Sequence, residues 1–120
     1  MPSLAGLTLL QASREPARYR ALLRLEPDSP LLAGHFPGHP ILPGIAHLGL
    51  ALRGARELEG QALSLASLRG VRFRRPVAPG DTIELSVARS AGPRSLRFEL
   101  RRAADLLSSG VFVVGEDVRD

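Results

Sequence analysis

The sequence predicts an α+β domain, an antiparallel sheet wrapped around one long buried helix. Three observations predict it. The stretch from Ile45 to about Leu58, IAHLGLALRGAREL, places apolar residues on almost every side of a helix, the pattern of a helix that is buried all round. After Gly60 the apolar period changes to two, the period of strands. Proline–glycine turns separate the period-two runs. Strands segregated from a single long helix define the α+β class.

The chain of 120 residues suits one domain, taken as 1–120, and is long enough to bury a core without disulfide or metal staples. Residues 1–16 show no clear pattern. Tyr19 to Leu25 (YRALLRL) reads as a first strand. Pro27, Pro30, Pro37, Pro40 and Pro43 then forbid regular structure up to Gly44. The helix follows, with Ile45, Leu48, Leu50, Leu52 and Leu58 joined by Ala46, Ala51 and Ala55. Gly49 and Gly54 each weaken it by about 1 kcal/mol relative to alanine, so they serve close packing or leave space. Leu63 and Leu65 alternate with small or polar residues, and Val71, Phe73 and Val77 follow, with Arg72 and Arg74 on the opposite face. Pro79-Gly80-Asp81 is a turn. Ile83, Leu85 and Val87 alternate with Thr82, Glu84 and Ser86. After the turn Ala91-Gly92-Pro93, Leu96, Phe98 and Leu100 alternate with Arg97, Glu99 and Arg101. A last strand runs from about Leu106 to Val114. The expected order is one strand, a rigid loop, a buried helix and four strands in a meander.

Composition excludes several classes. Apolar content of 44% argues against disorder. The absence of cysteine removes disulfides and thiolate chemistry and is compatible with the cytoplasm. No apolar run reaches the roughly 18 residues of a membrane span. The N-terminus lacks a basic segment before its apolar stretch, so it reads as mature sequence rather than a signal peptide. All 16 basic residues are arginine, and the net charge of +4 favours acidic partners. With aromatics at 4% and no stacking platform, nucleic acid is not the expected partner.

The segment Gly34–Gly44, GHFPGHPILPG, is rigid and carries two histidines just before the helix. With the later VRFRRPVAPGDTIELSV, it resembles the beta-hydroxyacyl-acyl-carrier-protein dehydratases of fatty acid synthesis, which have the hot-dog fold. The family pattern G-H-F-P-G-x-P-x-x-P-G is matched at every fixed position, and the resemblance covers roughly residues 20–115. It implies that His35 is the base that removes the α-proton of a 3-hydroxyacyl thioester, a task suited to a neutral imidazole. It implies that the backbone N–H of Gly44 polarises the thioester carbonyl. Helix N-terminal N–H groups are unpaired and carry partial positive charge, so they stabilise enolate-like charge. The prolines then preset base and donor on either side of the thioester. Phe36 and Ile41 join the substrate site, with the Ile41 carbonyl at the position that orients the histidine. His39 falls at a variable position and reads as an exposed loop histidine.

The resemblance breaks at one place. The family carries a Glu or Asp fourteen positions after the histidine, which helps the hydroxyl leave as water; here that position is Gly49. Glycine donates no proton. His47 is the nearest ionisable side chain, but two residues along a helix is about 200° around it. It should point away from Gly49, bonded to backbone or facing a subunit contact. Glu57 and Glu59 lie two turns or more beyond and read as surface charges, and Asp28 as a turn residue. Either an acid or water comes from elsewhere, including a partner subunit, or the chain binds thioesters without dehydrating them, or it runs a reaction that needs only His35 and Gly44, such as double-bond isomerisation.

The family's acyl tunnel runs along the helix at a dimer interface, so Leu48, Leu52, Phe73 and Phe98 are candidate lining. Arg72, Arg74 and Arg75, with Arg69, Arg53 and Arg56, are a candidate surface for acidic acyl carrier protein. The leading expectation is a dehydratase-like protein acting on 3-hydroxyacyl thioesters of acyl carrier protein or CoA, in fatty acid, polyketide or related lipid synthesis. A non-catalytic thioester- or carrier-binding module is the alternative, and a thioesterase the third. The expected assembly is a homodimer or higher oligomer, or a complex with a different subunit. No cofactor is implied, and no metal, because the three histidines lack a ligand cluster.

Overall fold

A computed structural model describes residues 6–32 and 41–116. Among these residues six strands form one antiparallel sheet around one α-helix: β1 (Leu7–Glu15), β2 (Arg18–Leu25), α1 (Gly44–Glu59), β3 (Leu63–Phe73), β4 (Thr82–Arg89), β5 (Ser95–Arg102) and β6 (Asp105–Glu116). The α+β class and the sheet wrapped around a single long helix are as the periodicity predicts.

The strand order is β1-β2-β4-β5-β6-β3, which corrects the expected meander. Of the four strands after the helix only β4, β5 and β6 follow one another; β3 pairs with β6 at the far edge. The proline-rich segment between β3 and β4 makes the crossing possible. It leaves β6 where the Leu107 carbonyl accepts from the N–H groups of Arg74 and Arg75. It passes the Leu42 N–H, which donates to the Val77 carbonyl at 2.8 Å, and it joins β2 through Leu25 and Asp81. Val77 is therefore buried in this crossing loop, outside any strand.

β1 is a strand the sequence did not announce. Beyond Leu7 all its residues are exposed, so no buried face imposes alternation on the sequence. In β3, register shifts between Leu65 and Ser67 and between Arg69 and Arg72 interrupt the alternation. Leu63 stays buried, while Leu65, Leu68 and Phe73 are exposed.

The core lies between α1 and the concave face of the sheet. Leu50, Ala51, Ala55 and Leu58 of α1 meet Leu23, Ile83, Leu85, Val87, Phe98 and Phe112. The two helix glycines do different things. A Cβ at Gly54 would sit 2.7 Å from a Val87 methyl, so its absence lets the helix pack closely on β4. A Cβ at Gly49 would meet nothing within 4 Å. The expectation of a helix buried on every side needs correction too. Ile45 is 74% exposed, and Leu48, Gly49 and Leu52 on the same side are only half-buried, because one sheet covers one side of a helix.

Candidate functional site

The start of α1 is the chemically distinctive place in this fold. The helix begins at Gly44 behind Pro43, which is extended and offers no capping side chain. The N–H of Ala46 turns back to the Pro43 carbonyl at 3.0 Å. Among the described residues nothing accepts from the N–H of Gly44. A first-turn N–H without an acceptor is a donor for an external oxygen, favoured by the helix dipole.

That N–H adjoins an open, mainly apolar cleft of about 380 Å³ lined by Ile41, Leu42, Gly44, His47, Phe73 and the start of the crossing loop, Arg74 to Pro76. Phe73 forms one wall. Its ring lies across Gly44, where a Cβ would come within 3.1 Å of it, and it meets the His47 ring edge-on, with centroids 5.2 Å apart. A larger hollow of about 460 Å³, lined by Leu22, Thr82, Glu84, Arg102 and Ala103, lies away from the helix N-terminus.

His47 turns inward and Gly49 outward, the divergence expected of residues two apart on a helix. The imidazole is 3% exposed, and its Nδ1 lies 2.8 Å from the hydroxyl of Ser108 on β6, itself fully buried. Burial lowers its pKa from the ordinary value, and the Leu42 carbonyl facing the ring acts in the opposite sense. The ring is therefore held neutral near pH 7. The expected backbone partner is the Leu42 carbonyl, the ring has a side-chain partner in Ser108 besides, and its burial in the core replaces the alternative of a subunit contact. Ser108 went unremarked in the sequence; the one signal was the polar pair Ser108–Ser109 interrupting an otherwise apolar strand.

Of the other predicted site residues, His35, Phe36 and His39 lie outside the described residues. Ile41 lines the cleft. Leu48 and Leu52 lie on the outward stripe of α1 with Gly49, packed partly against the core. Phe98 is fully buried core. Arg72, Arg74 and Arg75 are exposed, and Arg74 and Arg75 border the cleft. Arg56 is used within the fold, donating to the Leu63 carbonyl at 2.9 Å. Among the described residues no group of acidic residues and histidines is arranged to hold a metal.

Residues 11–111 match the family model described as ApeI-like, ApeI dehydratase. The chain belongs to the ApeI-like dehydratase family. Among curated proteins it is similar to the 3-hydroxyacyl-acyl-carrier-protein dehydratase FabZ of Thermus thermophilus, 41% identical over 76 residues, or 57% of this chain and 54% of that one. FabZ of Roseiflexus castenholzii is 45% identical over 67 residues, 50% of this chain and 47% of the relative. The chain thus spans about half the length of these curated relatives. Among solved structures, the dehydratase heterocomplex ApeI:P from Xenorhabdus doucetiae superposes with a TM-score of 0.81 at 25% identity, over 88% of this chain and 95% of that one. An uncharacterised protein from Erwinia carotovora subsp. atroseptica gives 0.79 at 26% identity, over 92% and 96%. These neighbours and the sheet around one helix establish the hot-dog fold for this ApeI-like chain.

Proposed function

We propose that this chain is a dehydratase-like protein that acts in the cytoplasm on 3-hydroxyacyl thioesters of acyl carrier protein, in fatty acid, polyketide or related lipid synthesis. One observation carries the reading. The N–H of Gly44, without an acceptor among the described residues, borders an apolar cleft directly after a segment that matches the dehydratase pattern at every fixed position. The names of the FabZ relatives and of the ApeI:P neighbour support the same chemistry.

In this reading His35 takes the α-proton. The electron pair moves toward the thioester carbonyl, whose oxygen gains charge opposite the Gly44 N–H. The pair then returns to form the α–β double bond as hydroxide leaves the β-carbon, and one proton must join it to make water. Gly49 has no proton to give, and open space stands where a side chain would begin. The ApeI:P neighbour is a heterocomplex, which favours a partner subunit as the source of the acid. The outward stripe Ile45, Leu48, Gly49 and Leu52 and the exposed edge strand β3 offer the surface for a second subunit. The exposed Arg74 and Arg75 at the cleft, with Arg72 nearby on β3, suit an acidic carrier protein.

The empty space at Gly49 also favours a second reading, a module that binds acyl thioesters or their carrier without turning them over. Hydration of a crotonyl thioester and dehydration of a 3-hydroxyacyl thioester, both on carrier protein, separate the two for the wild type and His35→Ala. Turnover abolished by the substitution is the expected result. No turnover by the wild type, alone or with a partner subunit, but retained binding would establish the module instead.

A further inference from the structure

The residue that fixes the start of α1 is held from two sides. Leu42 lies two positions before Gly44 with its side chain 2% exposed. Its N–H donates to the Val77 carbonyl at 2.8 Å. Its carbonyl faces the His47 imidazole, and His47 is anchored by Ser108 on β6. The Val77 side is itself pinned. The Asp81 carboxylate accepts from the Ala78 N–H at 2.8 Å and from the Arg102 guanidinium at 2.6 Å, and Arg102 also reaches the Pro76 carbonyl at 3.3 Å.

We propose that His47 is a positioning residue: with Ser108 it clamps Leu42 to the sheet and so sets the place of the Gly44 N–H in the cleft. The proposal rests on the role given to Gly44 above. A neutral imidazole carries one N–H; with Nδ1 accepting from the Ser108 hydroxyl at 2.8 Å, the other nitrogen donates toward the carbonyl of Leu42, which lines the same cleft. His47 thus has its polar partners within the fold and needs none from a substrate, although it borders the cleft. Its ring also backs Phe73, whose ring lies across Gly44. One side chain therefore touches the two features that define the cleft beside the N–H, namely the chain leading into the helix and the aromatic wall. Small displacements matter here, because a shift of about 1 Å in a catalytic group costs on the order of 10²-fold in rate.

The experiment uses the full chain with His47→Leu, His47→Gln and Ser108→Ala. Amide hydrogen exchange is followed residue by residue, and kcat and KM are measured separately on a carrier-bound 3-hydroxyacyl thioester, with the partner subunit if turnover requires one. In His47→Leu, the Leu42 amide, bonded to Val77, and the Ala46 amide, bonded to Pro43, should exchange roughly tenfold faster or more, with the rest of α1 little changed, and kcat should fall about 10–100-fold at nearly constant KM. His47→Gln, which keeps a donor and an acceptor, should recover much of both. Ser108→Ala should repeat the exchange effect more weakly and serves if His47→Leu does not fold. Unchanged exchange at Leu42 and Ala46 in a folded variant overturns the proposal. An inactive wild type defeats the dehydratase reading instead, and the exchange data still decide whether His47 is the clamp.

Discussion

Phe73 lies across Gly44, so close that a Cβ on the glycine would sit 3.1 Å from the ring. The first residue of α1 and the last residue of β3 thus form one corner of the cleft. The glycine keeps its N–H accessible beneath an aromatic wall that a larger residue would displace.

Gly44→Ala tests that corner. Phe73 is 51% exposed and can yield by a few tenths of an ångström, so stability should change by less than about 1 kcal/mol. The cleft changes more than the fold. A displaced ring beside the thioester should lower kcat/KM about tenfold, the scale of one methylene in an apolar pocket, while kcat changes less because the N–H remains. Steady-state kinetics and urea unfolding on the same preparations check both halves. Wild-type kcat/KM in the variant would show that Phe73 does not bound the substrate.

The two glycines of α1 predict opposite outcomes for the same substitution. Gly49→Ala adds a methyl group into open space and removes the helix penalty of glycine, so it should stabilise the isolated chain by about 1 kcal/mol. Gly54→Ala drives a Cβ to 2.7 Å from a Val87 methyl and 3.1 Å from Leu85. Overpacking there costs about 1–3 kcal/mol, which should outweigh the helix gain. Denaturant midpoints measured side by side decide it; equal signs would mean that the spacing of α1 from β4 is not what the geometry states.

This contrast also marks how far the sequence could be read. The periods of β2, β4 and β5 were plain because each alternates buried and exposed residues, whereas the alanines and leucines round α1 hid that only one side of it is covered. β1 was invisible because only Leu7 is buried, and β3 misled because two register shifts break its alternation. The placement of β3 beside β6 depends on a crossing loop whose backbone partners, Leu107, Leu42 and Leu25, lie far away in sequence. At the site, Gly44 stood out by its motif and Gly49 by its departure from one. Ser108 could not, since nothing local ties it to a histidine 61 residues earlier.

Acid should weaken the fold through His47. Burial lowers the pKa of this imidazole in the native state, against the opposing Leu42 carbonyl. The unfolded chain takes up a proton near pH 6.5, which the native state resists. The stabilising contribution is therefore complete above that pH and is lost as the pH falls through it toward the native value, with a slope of at most about 1.4 kcal/mol per pH unit. His47→Gln lacks this component, so its stability should fall less between pH 8 and pH 5.5. Parallel urea titrations at the two pH values test the difference, and identical losses in wild type and variant would contradict it.

The exposed apolar residues on β3 and α1 predict where a second subunit sits. β3 is an eleven-residue edge strand with Leu65 and Leu68 exposed, and α1, packed beside it, leaves Ile45 74% exposed. β1, the other edge, exposes Leu9 and Leu10 but packs less against α1 than β3 does. If the proposed dimer, of like or unlike subunits, forms through β3 and α1, then Leu68→Arg and Ile45→Asp bury a charge at its centre. Each should weaken association by at least tenfold, as truncation of a central contact does, with the far-ultraviolet spectrum retained. Leu10→Arg on the opposite edge should leave association unchanged. Sedimentation velocity over a concentration series, with and without a partner subunit, reads all three. Dissociation by Leu10→Arg alone would move the interface to β1. It would also leave Gly49 facing solvent, where no second subunit could bring an acid to it.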